Sequence, residues 1–165
     1  YDGFARHPWC FRRQLCRYGG CYGINSFRKF YDKYLQVWRS SSLSDLKEII
    51  SKDYYAVEVS DGEIVDFGYE ESISGWEEGF TFAKEEGNEW ELKEISVVPL
   101  REGEVMAIVS ATLVIDGKTL DNVSLFFQTF KRQGNDEWKL IRSYIETGVP
   151  TENIKQINFT DVHFR

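Results

Sequence analysis

Trp138-Lys139-Leu140-Ile141-Arg142-Ser143-Tyr144-Ile145-Glu146-Thr147 is the stretch on which the reading of this chain turns. Side chains of contrasting polarity alternate along it, and a period of two marks a strand with two unlike faces. Asp136 and Glu137 lead into it from Gln133-Gly134-Asn135, a turn signal, and Pro150 stops it. Moving toward the N-terminus, the sequence predicts three more long strands, over 119–132, 104–115 and 90–99. Asp116-Gly117 separates two of them and is a hairpin turn, so neighbouring strands run antiparallel.

Ahead of the strands the period changes to that of helices. Phe27, Phe30, Tyr31, Tyr34, Val37 and Trp38 form one apolar stripe on a helix over 26–39, with Arg28, Lys29, Asp32 and Lys33 opposite. Ser40-Ser41-Ser42 breaks it, and Ser42 can cap a second helix over 43–51 with Asp45 in its first turn. A strand is expected over 53–59, then the Asp61-Gly62 turn and a short return over 63–67. A third helix spans 70–85, with Ile73, Trp76, Phe80 and Ala83 on one face, and Gly87-Asn88 ends it. Helices gathered first and strands gathered last argue an α+β domain with helices on one face of the sheet.

The length of 165 residues suits one domain. The net charge of -7 is unevenly placed: residues 1–24 carry +3 and the remainder carries -10. An acidic body disfavours nucleic acid and anionic membrane as partners. No apolar run approaches the roughly 20 residues of a bilayer span, and no stretch has the three-part pattern of a leader. A cytoplasmic location is therefore expected, with secretion left open because the sequence does not begin with Met. Asn122-Val123-Ser124 and Asn158-Phe159-Thr160 fit the glycosylation sequon.

Residues 1–24 read as an irregular extension rich in Arg and holding all three cysteines, Cys10, Cys16 and Cys21. Their C-x5-C-x4-C spacing is not that of a zinc pair, and free thiols or one disulfide both remain open. No metal site and no cofactor are expected. The only histidines, His7 and His163, lie in the terminal segments, which disfavours a Ser/Cys–His dyad. Carboxylate pairs such as Glu70-Glu71 and Glu77-Glu78 read as the solvated face of the third helix. Residues 151–165 read as a tail with a short strand at 156–159.

Three segments resemble the nuclear-transport-factor-2-like (NTF2-like, SnoaL-like, cystatin-like fold) superfamily. They are Leu46-x2-Ile49-Ile50-x2-Asp53, Gly68-Tyr69-Glu70-Glu71-Ser72-Ile73, and Trp138-x-Leu140-x-Arg142-x-Tyr144-x-Glu146. Their order covers residues 25–150 and points to an uncharacterised branch. The resemblance implies a cone: three N-terminal helices packed on a strongly curved, mostly antiparallel sheet that encloses a pocket. It also implies that the closing strand's Arg142, Tyr144 and Glu146 form the pocket's polar floor, with Tyr31, Trp38 and Phe126 as wall. The opposite parity would turn Ile141, Ser143 and Ile145 inward instead.

Ketosteroid isomerase is the relative that bears on chemistry. An ungapped match from the first helix to the first strand sets Tyr34 at its oxyanion-donating tyrosine and Glu58 at its carboxylate base. A carboxylate in an apolar cavity can move a proton beside a carbonyl, and a buried tyrosine can stabilise the enolate. The isomerase's third group, a protonated acid, is replaced here by Phe126. A small, largely apolar or aromatic ligand in the cone is thus the favoured expectation. An isomerase, cyclase or dehydratase using Glu58 as base and Tyr34 or Tyr144 as donor is the second. The third is an interaction module. Strand 104–115 is apolar on both faces, with Val105, Ala107, Val109 and Leu113 against Met106, Ile108 and Val114, and this suggests a homodimer through the sheet face.

Overall fold

A computed structural model describes residues 20–155, with side chains from 25 onward. Helix α1 (Gly20–Arg39) and helix α2 (Leu43–Ile49) lead into strand β1 (Ile50–Ser60) and strand β2 (Glu63–Phe67). Helix α3 (Tyr69–Ala83) follows, then β3 (Asn88–Arg101), β4 (Glu104–Ile115), a two-residue β5 (Lys118–Thr119), β6 (Asn122–Arg132) and β7 (Trp138–Pro150). A single helical turn, α4 (Thr151–Lys155), closes the described chain. The helices therefore number four among the described residues, and only α1 and α2 precede the sheet. Helix α1 starts at Gly20, inside the stretch read as an irregular extension. The expected strand at 156–159 and the cysteines Cys10 and Cys16 lie outside the described residues.

The strands form one curved, unclosed mixed sheet in the order β2-β1-β7-β6-β4-β3, with β5 against β4. Every pairing is antiparallel except β1 with β7, which is parallel and joins the first hairpin to the last strand. The turns that sequence marks have the chemistry they need. Asp61-Gly62 and Asp116-Gly117 both place two successive residues at positive φ, the type I′ pattern that matches strand twist.

Aromatic side chains make the core. Phe27, Tyr31, Tyr34 and Trp38 recur along the inner face of α1, and all four are essentially inaccessible. Phe130 of β6 is their hub, with its ring centre 5.3 Å from Tyr34, 5.5 Å from Phe27 and 5.9 Å from Tyr31. Such pairs contribute about 0.5–1.5 kcal/mol each beyond area burial. Helix α1 is also pinned to the sheet by polar bonds. Trp138 Nε1 donates to Ser26 Oγ at 3.1 Å, and Arg28 bridges Asp32 and Glu94 at 2.6 Å each.

Strand β4 is apolar on both sides, as its sequence indicated. Val105, Ala107, Val109 and Ala111 are buried under the helices, while Met106 and Ile108 are half-buried on the outer face. Leu113 is only half-buried.

Candidate functional site

The chain's strand registers decide which side chains reach the space beneath α3. On β1, Tyr54, Ala56 and Glu58 share the helix-facing side, and Ala56 and Glu58 lie beside Ser143 and Ile145 of β7. On β6, Phe126 pairs with Ile145 and Gln128 with Ser143. Above them, one face of α3 presents Ser72, Trp76 and Gly79. Between these layers lies a cavity of about 420 Å³. Its buried wall is Trp38, Tyr54, Ser72 and Ile145, and its exposed members include Val65, Asp66, Glu71 and Gly75.

Three tryptophans define the cavity's shape. Trp38 meets Trp76 edge-on at 4.8 Å and Phe126 edge-on at 4.9 Å. Trp90 is fixed by a bond from its Nε1 to Ser41 Oγ, 3.1 Å long, and its ring packs 3.8 Å from where a side chain at Gly79 would begin. Glycine at 79 thus lets α3 come close to the indole.

The polar groups are few. Burial pushes the Tyr54 hydroxyl up to about 12; the nearby Ser143 and Ser72 hydroxyls pull against that, and the Glu58 carboxylate adds to the rise. Tyr54 is therefore a neutral donor at physiological pH. Its approach to the serines is looser than a formed hydrogen bond, since Ser143 Oγ has no partner. Trp38 Nε1 is likewise buried without an acceptor. Glu71 accepts a hydrogen bond from the Gly68 N–H at 3.2 Å and so caps α3 from the cavity rim.

The sequence-derived candidates divide into three groups. Trp38, Phe126 and Glu58 do line the cavity. Tyr34 and Tyr31 do not; both are wholly buried behind the wall in the aromatic core. The Tyr34 hydroxyl accepts a hydrogen bond from Gln128 Nε2 at 2.8 Å, and burial holds its ionisation well above the usual tyrosine range. Glu58 and Tyr34 are thus not brought together at the cavity. The tyrosine that shares the cavity with Glu58 is Tyr54, four residues away on the same strand face. A neutral phenol next to a carboxylate can orient a polar ligand atom or exchange a proton with one.

Arg142, Tyr144 and Glu146 correct the expected floor: they lie on the outer face of the sheet. The cause is a bulge. Phe130 pairs with Leu140, but the next residue, Thr129, pairs with Arg142, so Ile141 is an extra residue in β7. Trp138 and Leu140 are buried before the bulge, and Ser143 and Ile145 are buried after it. Neither strict parity describes the strand. Arg142 faces Glu104 at 3.5 Å, not Glu146, whose carboxylate accepts a 2.6 Å bond from the Tyr144 hydroxyl.

No protein-family model and no curated protein matches the sequence. Solved structures do match in shape. An NTF2-like protein of unknown function from Pseudomonas putida superposes with a TM-score of 0.60 at 11% identity, covering 87% of this chain and 98% of that one. A domain of unknown function with a cystatin-like fold from Nostoc punctiforme gives 0.59 at 15% identity, over 81% and 82%. An NTF2-like protein of unknown function from Silicibacter pomeroyi gives 0.58 at 14%, over 78% and 98%. The chain has the NTF2-like fold. Identities this low show the fold alone, and an NTF2-like scaffold serves many functions.

Tyr54, Trp76, Trp90, Asp66 and Glu71 are cavity residues that sequence reasoning left unassigned. Tyr54 carried a signal, since it stands four residues before Glu58 and shares its strand parity. Trp76 was legible as an inward residue of α3. Trp90 carried none, because its position depends on how β3 curls past α1.

Proposed function

We propose that this NTF2-like domain binds a small, largely apolar ligand in the cavity between α3 and the sheet. The observation that supports this most directly is a 420 Å³ space, open at one side, walled by Trp38, Trp76, Trp90 and Phe126 at the edge of the aromatic core. Ligand cavities typically span about 300–1,000 Å³ and combine apolar walls with a few polar groups. Tyr54, Glu58 and Ser72 supply those groups. The test is saturable binding of the neutral apolar reporter N-phenyl-1-naphthylamine, followed by fluorescence. A Cβ at Gly75 meets nothing within 4 Å, so Gly75→Phe keeps the helix and narrows the mouth. One site per chain in the wild type, lost in Gly75→Phe, is expected. Absence of saturable binding would overturn the proposal.

A second reading concerns self-association, and one observation favours it. The outer face of β4, β6 and β7 presents Met106, Ile108, Phe127 and Tyr144, with Tyr144 43% exposed and Val98 of β3 adding to the patch. A contiguous apolar sheet face fits a homodimer interface. Sedimentation equilibrium of the wild type and of an Ile108→Lys/Tyr144→Glu variant tests it: dimer for the first and monomer for the second are expected, and a monomeric wild type refutes it.

A further inference from the structure

The cavity has a charge as well as a shape. Among the described residues, Glu58 and Glu71 bring carboxylates to it and no Lys, Arg or His lines it; Asp66 also borders it, but its carboxylate accepts a hydrogen bond from the exposed Tyr55 hydroxyl on the other face of the β1–β2 hairpin. Neither Glu58 nor Glu71 enters an ion pair among the described residues. Nor do they converge into a metal site, since no three potential ligands are grouped for one among the described residues. Their charge therefore acts as a field at the cavity and not as a coordination shell. Glu71 is exposed at the rim while Glu58 is half-buried, so the negative potential runs from the rim inward. Low-dielectric walls focus such a field.

The walls point the same way. Indole rings have a negative face, and Trp is the side chain that best holds a cation there, within about 6 Å of the ring centre. Three indoles and two carboxylates around one cavity favour positive charge twice over.

We propose that the occupant is an organic cation: an ammonium group, primary to quaternary, carried on an apolar or aromatic body. This rests on the cavity being a binding site and adds the chemical class. The carboxylates and indoles take the charged head, and Phe126 and Ile145 take the body.

The test uses three probes of one shape on the full chain, each displacing N-phenyl-1-naphthylamine: 4-phenylbutylamine, 4-phenylbutan-1-ol and 4-phenylbutyrate. The amine is expected to bind about tenfold or more tighter than the alcohol, with the carboxylate weakest. That preference should shrink about threefold or more in 0.5 M salt, and likewise in Glu58→Gln. Glu71 is left intact because it caps α3. Equal binding of amine and alcohol, tightest binding of the carboxylate, or failure of all three to displace a bound reporter would overturn the cation assignment while the binding site stands. If the reporter itself does not bind, the binding-site reading fails and the assignment falls with it.

Discussion

Replacing Tyr34 by Phe separates the two roles the sequence offered for that residue. If the hydroxyl belongs to the core, its loss leaves Gln128 Nε2 without its 2.8 Å acceptor. Gln128 is wholly buried, and its Oε1 already lacks a partner. A buried donor left unmet costs about 1–3 kcal/mol. For a domain of this size, each kcal/mol moves the melting temperature by about 2–4 °C, so Tyr34→Phe should lower it by about 2–12 °C. Gln128→Met strands the Tyr34 hydroxyl but removes the orphaned Oε1, and it should cost less. The double variant removes both partners and should cost less than the sum of the singles, a coupling of about 1 kcal/mol or more. Thermal and urea unfolding of the four proteins measure the cycle. Reporter affinity in the cavity should stay within about twofold throughout, since Tyr34 stands behind the wall. A Tyr34→Phe protein of wild-type stability that binds the reporter tenfold more weakly would refute this reasoning and return Tyr34 to the site.

Other outcomes follow from the same geometry. Tyr31, Tyr34 and Tyr54 are buried with raised ionisation, Tyr54 to about 12. The folded state keeps these protons when the unfolded chain loses them, so stability is full below about pH 10 and falls as pH rises beyond it. The slope between pH 10 and 12 should approach about 4 kcal/mol per pH unit from the three together. Melting curves at stepped pH measure it, and a flat profile to pH 12 would contradict their burial. Gly87 sits at φ +85°, and a Cβ there would come within 2.3 Å of Asp116 Oδ1. Gly87→Ala should therefore lose more than about 1 kcal/mol. Gly75→Ala, in open space within α3, should gain about 0.5–1 kcal/mol by helix propensity. Urea unfolding of both variants checks the opposite signs.

Much of the fold was legible because its signals are local. Helical spacing from Phe27 to Trp38 and the Asp-Gly pairs at 61–62 and 116–117 each specify their own structure. Parallel pairing of β1 with β7 joins segments far apart in sequence and leaves no local mark. The bulge at Ile141 explains the misplaced floor: whether Arg142 faces in or out depends on one unpaired residue set by both neighbouring strands. Tyr34 misled for a different reason. Its place in the helical stripe was right, but the stripe runs from solid core at Phe27 to cavity wall at Trp38, and periodicity cannot tell where packing ends.

The measurement that bears most directly on the central claim is a titration of the indole N–H signals of ¹⁵N-labelled protein with 4-phenylbutylamine, assigned by single Trp→Phe variants. Trp38, Trp76 and Trp90 wall the cavity, while the Trp138 N–H is held by Ser26 outside it. Saturable shifts of the first three, with Trp138 unmoved, are the expected result. Shifts at Trp138 equal to those at Trp38, or none at any indole, would contradict the account.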